Sequence, residues 1–215
     1  EKLKRVQGIL LEMLVEIDAL FVKHNIRYFL IYGTLLGAVR HKGYIPWDDD
    51  LDICVMKDDY DRAMDILRKN LPDRYIVHDK LTDPIYWCEF SKIRYRKSDT
   101  TCELWPEDNK FKYRGVCLDI YRCWEEDRSL YEYRYEKNLE VLVYHARNLG
   151  GSGGAKQWAR SLVGLGYRVL SQGYYWLRKT VEKREDYYWF DPDFHCTPAT
   201  KEELFPFKQM EFNGR

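Results

Sequence analysis

The chain has 215 residues, 45% hydrophobic and 16% aromatic, enough for one large domain, or one and a half ordinary ones, with a substantial core. Its 35 basic residues balance its 35 acidic ones, which excludes a global attraction to nucleic acid or membrane and makes any charge preference local. No apolar run approaches the roughly 18 residues of a membrane span, and no signal peptide is recognisable. The opening Glu1 and closing FNGR read as the ends of a piece of a longer protein. Six cysteines (Cys54, Cys88, Cys102, Cys117, Cys123 and Cys196) show no CxxC or zinc spacing and are expected to be reduced thiols of a cytosolic protein.

Residues 2–24 read as an amphipathic helix, with Leu3, Val6, Leu10, Met13, Ile17, Leu20 and Phe21 at steps of three and four. A short strand, 27–32, then runs into a Gly33-Thr34 turn and a short helix over 35–40. Strand, glycine turn and helix N-terminus suit an anion, because free N–H groups and the helix dipole point the same way. A third helix is predicted over 57–71, closed by Pro72. Strands follow at 75–78 and 86–95, with 100–104 as a hairpin partner or continuation and a polar turn at 106–110. GVCLDIYR (115–122) is an apolar strand with Asp119 at its centre; an unpaired carboxylate there would cost several kcal/mol, so it must face a cleft, a cation or a donor.

Beyond residue 125 a helix is predicted over 128–147, then the linker-like GGSGG at 150–154, natural or engineered. A broken, basic, Trp-rich helix over 155–184 either lies on an anionic membrane surface or packs with a solvated face. A last strand is predicted near 208–212. The domains expected are 1–124 as catalytic core, 125–185 as a helical region that binds acceptor or lies near a membrane, and 186–215 returning to the core.

The most informative stretch is YGTLLGAVRHKGYIPWDDDLDICV, residues 32–55. Asp48, Asp50 and Asp52 share one parity, so as a strand they would line one face about 6.6 Å apart while Leu51 and Ile53 pack inward. Clustered carboxylates repel unless a cation stands between them, and two hard divalent ions are the natural candidates. With Asp119 as a third carboxylate and a glycine turn for phosphate, the parts suit two-metal, in-line phosphoryl displacement.

Gly-Thr followed by D-x-D at this spacing resembles the nucleotidyltransferase superfamily, and GTLLGAVRHKGYIPWDDDLDI resembles the signature of the LicD family. That family includes bacterial phosphocholine transferases, with fukutin and fukutin-related protein as distant animal relatives. The resemblance is dense over about twenty residues and looser from the N-terminal helix to Tyr121; Tyr121-Arg122 stands where the family has Phe-Pro character. It implies an α+β, polymerase-β-like mixed sheet flanked by helices, with a helical C-terminal region. It also implies Asp50, Asp52 and Asp119 as catalytic metal ligands, with Asp119 taking the attacking hydroxyl's proton. Asp48 would join through water, whereas Asp49 is read as structural. Gly33 and Thr34 would contact phosphate, Arg40, His41, Lys42 and Lys92 are further phosphate or nucleotide candidates, and Trp47 is a candidate aromatic face for choline.

The implied reaction moves phosphocholine, or a related alcohol phosphate, from a CDP-linked donor to a sugar hydroxyl of a glycan precursor, lipid-linked or not. Cell-surface teichoic acid and lipopolysaccharide are the expected products. Mg²⁺ or Mn²⁺, two ions, would be the cofactor, and the cytoplasm or inner membrane face the location. Transfer of a nucleoside monophosphate, a non-catalytic nucleotide- or glycan-binding module, and a purely structural acidic turn remain open as alternatives.

Overall fold

The computed structural model describes residues 1–102, 106–127, 177, 186–190 and 199–215. Helix α1, Lys2–Lys23, buries Leu10, Met13, Leu14, Ile17 and Phe21, the stripe its sequence period predicts. It ends at His24, and Asn25 takes a left-handed conformation (φ 52°) to turn the chain. Strand β1, Tyr28–Leu30, leads to helix α2, Tyr32–His41; strand β2, Asp52–Met56, leads to helix α3, Lys57–Asn70. Helix α3 carries Asp58 and Asp59 in its first turn and Arg68 and Lys69 in its last, matching the helix dipole, and stops before Pro72. Strands β3, Tyr75–His78, β4, Ser91–Tyr95, and β5, Cys117–Asp127, follow, with a 3₁₀ turn at Pro106–Lys110 before β5.

The strands form one mixed sheet in the order β1-β2-β5-β4-β3, and a sixth strand, β6 (Asp186–Phe190), also pairs with β5. Only the β2–β5 pair among these first five strands is parallel; the others are antiparallel. The chain divides into two compact units. One comprises Glu1–Trp124, Trp189–Pro198 and Glu202–Arg215, the other Glu125–Tyr188 and Ala199–Lys201.

Strand alternation sorts the sheet's side chains. Ile53, Val55, Val77, Ile93, Leu118 and Ile120 point to the face covered by α1 and α3, where they join Leu10, Ile17, Phe21, Met64 and Leu67 in one core. Tyr60 fastens α3 to this face: its hydroxyl accepts the Ser91 N–H (2.8 Å) and donates to Ile120 O (3.1 Å). The opposite face receives Asp52, Asp119, Lys92 and His78, the side chains in register with one another across β2, β5, β4 and β3.

Several boundaries differ from expectation. Strand β1 stops at Leu30, because the chain turns at Tyr32 (φ 49°), which opens α2; the left-handed residue is Tyr32, not Gly33. Strand β4 begins only at Ser91: the Tyr86 hydroxyl donates to Phe90 O (2.9 Å) and holds the preceding residues in a loop. No strand forms at 100–102, where the Thr100 N–H donates to Arg114 O (2.8 Å). None forms near 208–212 either. There Phe212 packs edge-on against Tyr44 (4.9 Å), and the Asn213 N–H donates to Lys42 O (2.6 Å), so this tail spends its backbone bonds on the loop after α2. The helices predicted over 128–147 and 155–184 (Leu177 apart), the GGSGG stretch, Cys196 and residues 103–105 lie outside the described residues. Among the described residues no helix is long and apolar enough to cross a membrane, and Cys88, Cys117 and Cys123 are free thiols.

Helix α2 is seated by Gly37, where an added Cβ would lie 2.4 Å from Gly43 O and 3.0 Å from Ile45 N. Both are backbone atoms of the loop that carries the acidic run, so neither yields cheaply. Gly37→Ala is therefore expected to lower stability by about 1–3 kcal/mol, as overpacked sites do, read from the midpoint of urea unfolding. An unchanged midpoint would show that α2 and this loop are not so closely packed.

Candidate active site

The site is built on the exposed ends of two parallel neighbours. Asp52 opens β2 opposite Asp119 of β5, and Lys92 of β4 stands opposite Asp119 on its other side. The start of β2 is pinned twice: the Asp52 N–H donates to Thr34 Oγ1 of α2 (2.8 Å), and the Asp119 N–H donates to Leu51 O (2.9 Å). Leu51, fully buried, anchors the approach. Asp48, Asp49 and Asp50 precede the strand, so the predicted common face for three aspartates does not arise from pleating. Asp48 is positioned separately. Gln7 of α1 donates to its backbone carbonyl (2.8 Å), and its carboxylate rests on Gly33, where a Cβ would come within 2.8 Å of Oδ2. The glycine at the start of α2 thus makes room for a carboxylate of the chain itself.

Electrostatics show how closely these groups gather. Burial raises the Asp52 pKa to about 9, reinforced by the Asp119 and Asp50 carboxylates and relieved in part by Lys92. Asp50 reaches solvent, yet the protein around it removes enough water to raise its pKa to about 7, with Asp48 pressed against it and Asp119 adding to the repulsion. Lys92 Nζ donates to Asp119 Oδ2 at 2.5 Å, and both side chains are nearly buried. Burial alone would lower the Lys92 pKa; the Asp119 carboxylate overrides it and raises it. The other Asp119 oxygen, Oδ1, is buried with no hydrogen-bond partner.

Of the predicted site residues, Asp50, Asp52, Asp119, Asp48, Lys92 and Gly33 fall into this neighbourhood. Thr34 also lies there, but it is buried and accepts the Asp52 N–H, so its place is beneath the carboxylates. Arg40, His41 and Lys42 are exposed at the far end of α2, about 10 Å along the helix from Gly33, and Lys42 pairs with Glu211 (3.5 Å). Trp47 is 78% exposed in the turn just before the acidic run. A cluster unforeseen from the sequence continues the row. His78, fully buried, accepts from Arg94 Nε at Nδ1 (3.3 Å) and donates from Nε2 to Asp83 (3.1 Å). Burial lowers its pKa to about 4, which keeps it neutral, and the Arg94 N–H on Nδ1 fixes that tautomer. Arg94 also donates to Gly115 O (2.8 Å). The available signal was parity: Lys92 and Arg94 are two apart in an otherwise apolar strand, so both face the site.

All the donors here are hard carboxylate oxygens, the set that suits Mg²⁺ or Mn²⁺, and the buried Asp119 oxygen without a hydrogen-bond partner is one that a cation would satisfy. Among the described residues, though, no three Asp, Glu, His or Cys side chains converge closely enough to hold an ion as they stand. The cation now lodged in the row is the Lys92 ammonium.

The raised carboxylates make stability depend on pH. Asp52 and Asp50 bind protons more tightly folded than unfolded, so they lower stability as pH rises above the ordinary carboxylate range, through about 7 and about 9. His78 acts oppositely: its depressed pKa removes stability as pH falls below about 6.5. Between about pH 4 and 6.5 the two raised carboxylates outweigh the one depressed imidazole, so the metal-free protein is expected to melt highest near pH 4 to 5 and progressively lower toward pH 9, and millimolar Mn²⁺ should flatten that decline. Thermal unfolding across this range, with and without Mn²⁺, checks both; an alkaline limb insensitive to Mn²⁺ would separate the carboxylates from cation binding.

Comparison with known proteins supplies a family. The family described as "LicD/FKTN/FKRP, nucleotidyltransferase domain" matches residues 25–139, which include Asp48, Asp50, Asp52, Lys92 and Asp119. The chain is 38% identical over 160 residues to an uncharacterised protein of Rickettsia prowazekii (strain Madrid E), covering 65% of this chain and 59% of that one. It is 41% identical over 122 residues to lipopolysaccharide cholinephosphotransferase LicD of Haemophilus influenzae, covering 55% of this chain and 43% of that enzyme. With human ribitol 5-phosphate transferase FKRP it shares 30% identity over 87 residues, 38% of this chain and 17% of the relative. The chain thus spans about half the length of the first two relatives. A family match over more than half the sequence, centred on the carboxylate row, places the chain in the LicD family.

Proposed function

We propose that the protein is a metal-dependent phosphotransferase of nucleotidyltransferase-like fold. It would move phosphocholine, or a related alcohol phosphate, from a CDP-linked donor to a sugar hydroxyl of a cell-surface glycan precursor, with release of CMP. The observation that carries this reading is the register of Asp52, Asp119 and Lys92 on one face of the sheet, with Asp48 and Asp50 beside them, in a chain of the LicD family. The named activities of two relatives, a cholinephosphotransferase and a ribitol 5-phosphate transferase, support transfer of an alcohol phosphate. Thiols at Cys88 and Cys117 suit the cytoplasm, where a CDP-linked donor would be available at the inner membrane face.

Asp50, Asp52 and Asp119 would hold Mg²⁺ or Mn²⁺, with Asp48 binding through water. When bound, the ions would neutralise phosphate charge and polarise the phosphoryl group. The protein's own groups supply the rest. Lys92 would stabilise the non-bridging phosphate oxygens, and Gly33 at the start of α2 would seat the Asp48 carboxylate beside the metal ligands. Asp119 Oδ1, which carries no hydrogen bond, is the oxygen assigned to take the sugar hydroxyl's proton. The sugar oxygen would then bond to the phosphorus of the alcohol phosphate as the bond to the CMP phosphate breaks. The exposed ring of Trp47 offers a face to a quaternary ammonium.

Incubation with CDP-choline, Mn²⁺ and a glycan acceptor should release CMP and leave the glycan heavier by phosphocholine. A glycan that gains CMP instead would overturn the assigned scissile bond. Asp52→Asn and Asp119→Asn are expected to lower kcat by at least ~10²-fold, the scale of lost electrostatic stabilisers. Full activity in either would remove that residue from the site. Trp47→Ala should raise KM for CDP-choline about tenfold while leaving a donor with an uncharged alcohol, CDP-ribitol, nearly unaffected, which is what a cation–π contact predicts. An equal rise for both donors would mean that the ring does not read the ammonium.

A further inference from the structure

Lys92 has a position that a simple phosphate contact does not explain. Its strand register puts it directly opposite Asp119, its ammonium lies on Asp119 Oδ2, and only 12% of its side chain is exposed. The ring of Phe90 lies 4.7 Å from Nζ, an aromatic face that steadies a desolvated cation. On the other side of Asp119 stands Asp52, in register and 6% exposed. Two carboxylates thus stand side by side on one face, and Lys92 is the cation that touches Asp119. Among the described residues no three donors converge on an ion.

Arg94 marks the contrast. It lies two residues further along the same face, but its guanidinium is tied to His78 and to Gly115 O, and His78 is tied in turn to Asp83. Asp83 is itself fixed by the Lys112 N–H (2.7 Å). Arg94 is therefore locked, whereas the hydrogen bond of Lys92 goes to Asp119 alone among the described residues. A lysine stem has four rotatable carbons and a compact head, so it can swing where a forked guanidinium held at two points cannot.

We infer that Lys92 is an exchangeable counter-ion: in the free protein it neutralises Asp119 and holds the site closed, and an arriving divalent cation displaces its ammonium toward the donor phosphate. The inference rests on the metal-dependent reading given above and deepens it. It makes metal and Lys92 competitors for one carboxylate before substrate binds, and partners on the phosphate afterwards. No bond is made or broken in the exchange; one cation replaces another on Asp119, and the displaced charge finds a new anion.

Competition followed by cooperation gives effects of opposite sign. Lys92→Met should tighten Mn²⁺ binding to the nucleotide-free protein about tenfold or more, because a positive charge a few ångströms from the ion is removed. The same variant, saturated with Mn²⁺, should bind CDP about tenfold more weakly, having lost a charge-assisted contact. Titration calorimetry reads both without any turnover. Lys92→Gln keeps a donor for Asp119 Oδ2 and so protects the fold; it should shift both affinities in the same directions as Lys92→Met. Lys92→Arg, which keeps the charge, should leave Mn²⁺ affinity within about twofold of wild type. If wild type binds Mn²⁺ but neither neutral variant binds it more tightly, the exchange is overturned while the metal site stands. If wild type binds no Mn²⁺ even with CDP present, the metal-dependent reading falls and takes the exchange with it.

Discussion

The constraint on which the site depends is the repulsion between Asp52 and Asp119, set side by side by a parallel strand pair. Neighbouring strands lie about 4.8 Å apart, so in-register carboxylates on one face cannot avoid each other. The fold forces the contact because the other face of the same residues' neighbours, Ile53 and Ile120, is buried to zero exposure in the main core. Sliding one strand by a single residue would relieve the carboxylates only by turning the core side chains into the site. The apolar half of the sheet thereby maintains the strain of the polar half.

That strain is distributed among distinct supports. Thr34 satisfies the Asp52 N–H from below, which lets β2 begin at the site without an orphaned donor. Gln7 holds the Asp48 backbone from α1, and Gly37 lets α2 sit against the loop that delivers the acidic run. Tyr60 ties Ser91 and Ile120 together on the dry face, so the neighbours of Lys92 and Asp119 cannot drift apart. Tyr32 holds a left-handed conformation at the start of α2, with its ring edge-on to Tyr121 (5.3 Å) two residues beyond Asp119. Backbone strain beside a functional site is common where the surroundings over-determine it.

Much of this was legible in the sequence. The 3.6-residue period of α1, the acidic first turn and Pro72 stop of α3, and the single carboxylate inside GVCLDIYR each have a local cause, and each identified its element. Where the reading failed, the deciding information was tertiary. Parity suggested one face for Asp48, Asp50 and Asp52, but strand pairing begins at Asp52, and the two earlier aspartates reach the site from an irregular loop. A glycine after a strand suggested the turn residue, yet Tyr32 turns and Gly33 makes space for Asp48. Lys92 was recognisable as a cation near the site, but its partner depends on a register between β4 and β5 that no local pattern encodes. His78 was invisible for the same reason, since its neutrality comes from burial and the Arg94 charge, against the pull of Asp83 in a loop.

The row His78, Lys92, Asp119, Asp52 crosses four strands and passes from neutral to basic to acidic. Such a gradient has a consequence for what can leave the site. The neutral imidazole neither attracts Lys92 nor repels it strongly, and Arg94 behind it does repel. An ammonium displaced from Asp119 is therefore not drawn back toward β3, because a fixed guanidinium and a neutral ring occupy that side. Two sources of negative charge are left for it: the Asp108 carboxylate, which feels both Lys92 and Arg94 and is held by the Trp87 N–H (2.9 Å), and an incoming phosphate over the carboxylates. Protonating His78 would add to the repulsion, but its pKa of about 4 makes that state rare at neutral pH, so the locked Arg94 supplies it. A cation held in place by a buried hydrogen-bonded cluster thus closes the β3 side to its neighbour Lys92.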